Sequence, residues 1–298
     1  MDRKKPVIVG VGEILWDMLP DGKVLGGAPA NFAYHCNQLG AESHVISAIG
    51  NDPLGQEILK QVKALGLTTG WLFMDDHLPT STVTVKLDAK GHPAYSIHEH
   101  VAWDAIPHKP GAIDLMAGAD AVCYGSLAQR SPASRNSIQA YISAAPAHCL
   151  RVFDVNLRQH YFSRELLEAS LDFADILKLN DEELVIVSEL LALKGDEDEL
   201  IVSMQQTYNL ELIALTRGSE GSTLFWGSQR SDYRSDAVRA VDTVGAGDSF
   251  TAAMVMTYLK GMKLKEMHRI ASELAAYVCT RKGATPEIPS EIISAVQN

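Results

Sequence analysis

The group in this chain best placed to do chemistry is an acid that follows two closely spaced glycines at the mouth of a helix. Residues 242–250 read Asp242-Thr243-Val244-Gly245-Ala246-Gly247-Asp248-Ser249-Phe250. Beyond them Phe250, Ala253, Met254, Thr257 and Tyr258 recur at the spacing of one helical face. The free N–H groups of such a first turn, with the positive end of the helix dipole, hold an anion. Gly245 and Gly247 let backbone amides approach it without a Cβ in the way. A carboxylate beside a bound phosphate is repelled by it. Asp248 therefore makes sense as a group that takes a proton from an attacking hydroxyl while the amides of Gly245, Ala246 and Gly247 hold a phosphoryl group. The alternative is an ordinary first-turn acid, since Asp is favoured at helix starts. A second segment, Gly26-Gly27-Ala28-Pro29-Ala30-Asn31-Phe32-Ala33, also turns into a helix. Pro29 sits where a missing N–H costs nothing, and Asn31 can offer both a donor and an acceptor to a polar ligand.

The elements that must carry these segments alternate. Strand-like runs at Val7–Val11, residues 44–49, Ala121–Tyr124, residues 151–155, residues 176–179 and Leu212–Thr216 are separated by helical patterns. That order predicts a mostly parallel sheet covered by helices. Thr82–Leu87 and residues 94–98 instead alternate with a two-residue period around Asp88-Ala89-Lys90-Gly91-His92-Pro93, which predicts a hairpin. The acidic run 196–199 reads as a solvated loop or a helix start.

With 298 residues, 46% of them hydrophobic, the chain can bury one large core as a single domain. A net charge of −11 argues against nonspecific binding to nucleic acid or to an anionic membrane. No apolar run is long enough to span a bilayer, and Glu13 and Asp17 interrupt a signal-peptide reading. Cys36, Cys123, Cys149 and Cys279 are scattered, as expected of buried thiols in the reducing cytoplasm.

Four competing motifs fall short. Val9-Gly10-Val11-Gly12-Glu13-Ile14-Leu15 puts Leu15 where a dinucleotide fold needs Gly or Ala. The chain has no P-loop and no protein-kinase H-R-D or D-F-G set. His98-Glu99-His100 could aim two imidazoles to one side, but no third metal ligand is evident and polarity of a strand accounts for it.

The two glycine segments together resemble the paired signatures of the ribokinase-like carbohydrate kinases, the PfkB family. Further motifs follow in the family's order. They are Gly50-Asn51-Asp52-Pro53-Leu54-Gly55, Asp154-Val155-Asn156-Leu157-Arg158, Asn180-Asp181-Glu182-Glu183 and Thr216-Arg217-Gly218-Ser219-Glu220-Gly221. The resemblance covers essentially the whole chain. It implies a three-layer α/β/α sandwich with a small β-lid drawn from about residues 13–25 and 80–104, within one domain spanning 1–298.

What the resemblance implies for the site is specific. Asp248 would be the base and residues 245–247 the anion hole. Asp17, Gly27 and Asn31 match sugar contacts, although Asp17 also stands where an acid could open the turn Pro20-Asp21-Gly22. Trp103, an insertion relative to the commoner pattern, is a further candidate to stack on the sugar or to anchor the lid. Glu183 and Asn180 match residues that organise Mg²⁺, Glu183 through water, against the alternative of capping the next helix. Thr216, Arg217, Gly218 and Gly221 match the loop beside the ATP phosphates. Asp242 matches a monovalent-cation neighbour, with K⁺ the expected ion, and Gly283 lies in the loop bordering that site and adenine. Ala28-Pro29 in place of Lys-Gly is the fructokinase-like form, and the strand before Val101 lacks the Arg that would pair a sugar acid. The expectation is an ATP-dependent kinase acting on the 6-hydroxyl of fructose, possessing sugar and ATP as partners and a homodimer through the lid. The alternatives are a kinase of another neutral sugar, polyol or nucleoside, and a catalytically silent sugar-binding regulator. The intact set of Asp248, residues 245–247, Asn180 and Glu183 speaks against the last.

Overall fold

The computed structural model describes residues 5–19, 22–87, 93–234 and 239–297. The turn residues Pro20 and Asp21, and residues 88–92 of the expected hairpin, lie outside them. In chain order the strands are β1 (Val7–Val11), β2 (Leu15–Leu19), β3 (Gly22–Gly26), β4 (Glu42–Gly50), β5 (Leu72–Asp75), β6 (Thr82–Leu87) and β7 (Pro93–Ile97). They continue with β8 (Ala121–Tyr124), β9 (Leu150–Asp154), β10 (Ile176–Asn180), β11 (Leu212–Thr216), β12 (Ser222–Trp226) and β13 (Gln229–Tyr233). The helices are α1 (Ala28–Gln38), α2 (Pro53–Ala64), α3 (Pro110–Met116), α4 (Pro132–Ala144), α5 (Arg164–Leu171), α6 (Asp181–Leu190), α7 (Glu197–Tyr208), α8 (Ala246–Leu259), α9 (Leu264–Cys279) and α10 (Ser290–Gln297).

Nine strands form one sheet in the order β13-β12-β11-β10-β9-β8-β1-β4-β5. Every pairing from β11 to β5 is parallel, and β12 and β13 add an antiparallel edge. Parallel strands are covered on both faces, so their residues are apolar on both sides. Ile176 of β10 packs with α1, α8 and α9 residues such as Phe32, Phe250 and Leu274, while its neighbour Leu177 packs with Leu167, Val187 and Ile201 of α5–α7. The result is a three-layer α/β/α sandwich, as the resemblance implies. A separate four-stranded sheet, β3-β2-β6-β7, joins two antiparallel hairpins through the parallel pair β2 and β6.

Chain direction across the large sheet reverses at β1, whose neighbours are β4 on one side and β8 on the other. A crevice opens beyond the carboxyl ends of strands at such a switch point, and ligands of open α/β sheets bind there. Four segments end at this rim: Gly12-Glu13 after β1, Asp154 to Arg158 after β9, Asn180 ending β10, and Thr216-Arg217 closing β11.

Local choices agree with this layout. Phe32, Cys36 and Leu39 bury one face of α1, and Gly40 leaves it with φ +105°, a backbone suited to glycine. The acidic run at 196–199 is a helix start: Asp196 caps α7 by accepting from the Glu199 amide, and Glu199 accepts from the Asp196 amide in return. Cys36, Cys123 and Cys149 are buried, and Cys279 is partly exposed.

Candidate active site

The N-terminus of α8 is the focal point. Gly245 precedes it in the left-handed region with φ +78°, and no side chain caps the first turn. A Cβ on Gly245 would stand 2.6–2.7 Å from atoms of Ala284, so the loop 281–284 packs directly behind this turn. The Ala246 amide is engaged by the Thr243 carbonyl at 3.3 Å. The following first-turn amides are therefore the better donors to an anion.

Asp248 stands in this first turn, and Asn31 in the first turn of α1 donates from Nδ2 to Asp248 Oδ2 at 2.8 Å. The two glycine segments, 217 residues apart in sequence, thus meet at one hydrogen bond. Burial pushes the Asp248 carboxyl up to about 6; Asp154 adds to the rise, and Asn31, Lys178 and Arg158 oppose it. Gly27, with φ +115°, begins α1, and a side chain there would collide with the Glu13 carbonyl.

A group of acids faces the same crevice. Asp17, half-buried on β2, is pushed up to about 6 by burial, with Arg158 lowering and Asp242 raising it. Glu13 is only 2% exposed, its Oε2 has no hydrogen-bond partner, and burial, aided by Asp248, pushes its carboxyl up to about 7. The exposed cation Arg158 acts on Glu13, Asp17 and Asp248 alike. Carboxylates crowded around one cation form a surface of hydroxyl acceptors, as a polyol requires.

The remaining candidates have definite local work. Asn180 and Glu183 make a capping box at α6: Asn180 Oδ1 accepts from the Glu183 amide and Glu183 Oε2 from the Asn180 amide, both at 2.8 Å. Glu183 Oε1 also accepts from the Leu157 amide at 2.9 Å, so this buried carboxylate ties the loop after β9 to the end of β10. Both oxygens being engaged, these residues suit an ion reached through water better than direct ligation. Arg217 donates to Glu197 Oε1 at 2.5 Å and to Thr223 Oγ1 at 2.9 Å. Its loop closes through the Arg217 amide on the Gly221 carbonyl at 2.8 Å, with Gly218 and Gly221 at positive φ, and the Thr216 hydroxyl bonds the Leu179 carbonyl at 3.4 Å. Asp242 Oδ1 accepts from the Val244 amide at 3.1 Å and Oδ2 from the Gly283 amide at 3.0 Å. It therefore bridges the loop before α8 and the loop 281–284.

Trp103 requires a correction. It is fully buried in the core, and the Arg130 guanidinium lies 4.0 Å from its ring centroid. Arg130 is also stacked on Tyr161, paired with both oxygens of Asp104, and bonded to the His98 carbonyl at 2.6 Å. Trp103 thus anchors the base of the small sheet and has no face turned to a sugar. The polar segment 98–100 follows β7 rather than lying in it; Glu99 accepts from the Tyr161 hydroxyl at 2.8 Å.

Reading residue types along the chain missed Glu13, Lys178 and Thr251. Lys178 was detectable, since Ile176-Leu177-Lys178-Leu179 sets one charge inside an apolar strand. Glu13 and Thr251 carry no comparable signal.

Comparison with known proteins agrees with this geometry. A fructokinase of Salmonella typhimurium is 30% identical, the match covering 94% of this chain and 95% of the relative. A putative sugar kinase of Pyrococcus horikoshii is also 30% identical, over 93% of this chain and 91% of its own. The solved structure of that sugar kinase superposes with a TM-score of 0.83 at 28% identity, covering 98% of each chain. The fold is shared by a fructokinase of Xylella fastidiosa, solved with bound ATP, at a TM-score of 0.85, 21% identity and 98% coverage of both chains. The pattern described as pfkB family carbohydrate kinase matches residues 21–291, and the chain belongs to that family.

Proposed function

We propose that this carbohydrate kinase transfers the γ-phosphoryl group of ATP to the 6-hydroxyl of D-fructose. The observation that carries the reading is the Asn31–Asp248 bond beneath an uncapped helix N-terminus: it sets a proton acceptor beside an anion site. The fructokinase names of relatives from Salmonella typhimurium and Escherichia coli, and the ATP complex of the Pyrococcus horikoshii sugar kinase, support the choice of substrates.

Phosphoryl transfer passes through a loose transition state, so positioning and charge stabilisation outweigh a strong base. The sugar oxygen forms its bond to the γ-phosphorus as the bond to the β-γ bridging oxygen breaks, and ADP leaves. The hydroxyl proton passes to Asp248, whose Oδ2 is held by Asn31. First-turn amides of α8, with Gly245 and Gly247 keeping the approach clear, meet the charge developing on the transferred group; one such donor is worth about 3–4 kcal/mol. Asp17, Gly27 and Asn31 would orient the sugar, and the four-stranded sheet would serve as the lid. Mg²⁺ bound with the phosphates supplies charge neutralisation, and Asn180 and Glu183 would meet it through water. Thr216, Arg217, Gly218, Gly221 and Gly283 would border the nucleotide, Arg217 after leaving Glu197. Asp242 would shape a K⁺ site by holding its two loops together.

No helix among the described residues is long and apolar enough to cross a membrane. The reading is of a cytoplasmic enzyme whose partners are its small-molecule substrates and a second copy through the lid sheet; sedimentation velocity tests the dimer.

Asp248→Asn preserves shape and removes the proton acceptor, so turnover should fall by about 10²–10⁴ with ATP binding intact. Near-normal turnover at saturating substrate would remove Asp248 as the base. Equal concentrations of fructose, ribose, adenosine and 2-keto-3-deoxygluconate in competition should give fructose the highest kcat/KM. A higher value for any rival, or phosphate found by NMR at C1, reassigns the acceptor and leaves the kinase reading standing.

A further inference from the structure

Lys178 is the buried cation nearest the transfer site that the proposed mechanism does not use. It is 8% exposed, on the α8 face of the large sheet at the middle of β10. It sits directly across the ladder from Asp154 of β9, and its Nζ donates to Asp154 Oδ1 at 3.0 Å. The same Nζ would lie 3.0 Å from a Cβ built on Gly247, so the ammonium presses on the anion-hole turn from below. The Thr251 hydroxyl, one turn along α8, lies 2.9 Å from Asp154 Oδ2 and 3.0 Å from the Gly247 carbonyl and shares its proton between them. Asp154 is thereby held at both oxygens, once by Lys178 and once by the helix that carries Asp248.

A buried ion pair is a weak source of stability, because desolvation offsets most of the attraction. Its placement here points to another use. We infer that Lys178 and Asp154 are a positioning pair that fixes the first turn of α8 and sets the charge facing Asp248. This rests on Asp248 being the base of the proposed reaction. The main groups acting on Asp248 come from several elements. Asp154 disfavours its ionised form, while Lys178 and Arg158 favour it together with the Asn31 amide; Glu13 repels it, and the buried thiol of Cys123 lies close by on β8. Burial works to lower the Lys178 pKa, yet Asp154, Glu183 and Asp248 together carry it up to about 12. Lys178 therefore stays charged throughout the range in which Asp248 titrates.

The test is a charge cycle read as the acid-side midpoint of kcat against pH. Lys178→Met should move that midpoint up by about one pH unit, a tenfold change in proton concentration, as expected for a lost neighbouring charge. Asp154→Asn should move it down by a similar amount, and the double variant should return it close to the wild-type value. Each of these single variants leaves one buried charge without its partner and can fail to fold; Lys178→Gln, whose amide can still donate to Asp154 Oδ1, then carries the test and should move the midpoint up as Lys178→Met does. Midpoints that stay within about 0.2 pH unit of wild type in the folded single variants, with only thermal stability changed, would overturn the inference. Asp248→Asn measured alongside separates the two readings: if it silences the enzyme while the midpoints stay fixed, only the Lys178 inference fails. If it keeps full turnover, the base assignment fails first.

Discussion

Replacing Glu13 with glutamine should make the ligand-free protein more stable at alkaline pH and not at acid pH. Glu13 is 2% exposed, and its Oε2 finds no partner. Burial pushes its carboxyl from 4.5 to about 7, with its own amide and that of Ala28 opposing the rise and Asp248 adding to it. A carboxyl whose pKa is raised by folding binds its proton more tightly in the native state. Its contribution is complete below the unfolded value near 4.5 and is lost as pH climbs through about 7. At about 1.4 kcal/mol per pKa unit, holding Glu13 ionised at pH 8.5 costs the fold about 3 kcal/mol. Glutamine removes that cost but brings an amide NH₂ that needs an acceptor, a loss of about 1–2 kcal/mol. The net gain is about 1–2 kcal/mol at pH 8.5, or roughly 1.5–3 °C in Tm for a chain of this size. At pH 5 the carboxyl is already protonated in the native state, so the gain should vanish or reverse. Differential scanning calorimetry of both proteins at the two pH values measures this. A Tm difference that does not depend on pH, or a gain larger at pH 5, would refute the assignment of Glu13 as a buried acid strained by ionisation.

Three further outcomes follow from the geometry. Gly245→Ala puts a Cβ 2.6–2.7 Å from Ala284 at φ +78°, so it should cost about 1–3 kcal/mol and raise KM for ATP more than for sugar, by thermal melts and steady-state kinetics. Asp17→Ala should weaken sugar binding about tenfold or more while leaving ATP binding unchanged in calorimetric titrations, since a lost hydrogen bond to a charged group is worth about 1.5–3 kcal/mol. Arg130→Ala strands the Asp104 carboxylate and strips one face from Trp103, so urea unfolding should show a loss of about 3–5 kcal/mol; a loss under 1 kcal/mol would mean the pair is dispensable.

How much of this was legible beforehand depended on whether the determinant was local. The first turn of α8 and the turn into α1 announce themselves, because glycine at positive φ and a following amphipathic run are properties of adjacent residues. The parallel sheet followed from the alternation of short apolar runs with helices. The edge strands β5, β12 and β13 were not read out: β5 has four residues, and β12 and β13 borrow their pairing from β11. Contacts between distant segments were invisible in principle. Nothing near Asn31 says that its amide reaches Asp248, and nothing near Trp103 says that Arg130 covers its ring. An aromatic inserted beside a sugar-facing segment invites a stacking role, and only the packing shows that it faces inward. Of the two readings of Asn180 and Glu183, the capping box was the local one, since it involves only residues three apart.

One helix joins both halves of the site. From α1, Asn31 reaches Asp248, Tyr34 bonds the Pro286 carbonyl at 3.1 Å, and His35 contacts the Ala284 carbonyl at 2.9 Å behind the anion hole. The strands β2, β6 and β7 make none of these bonds. The helix is therefore a chassis that ties the Asp248 turn and the 284–286 segment to each other. Changes in α1 that break these bonds should degrade turnover for every substrate at once, whatever the sugar.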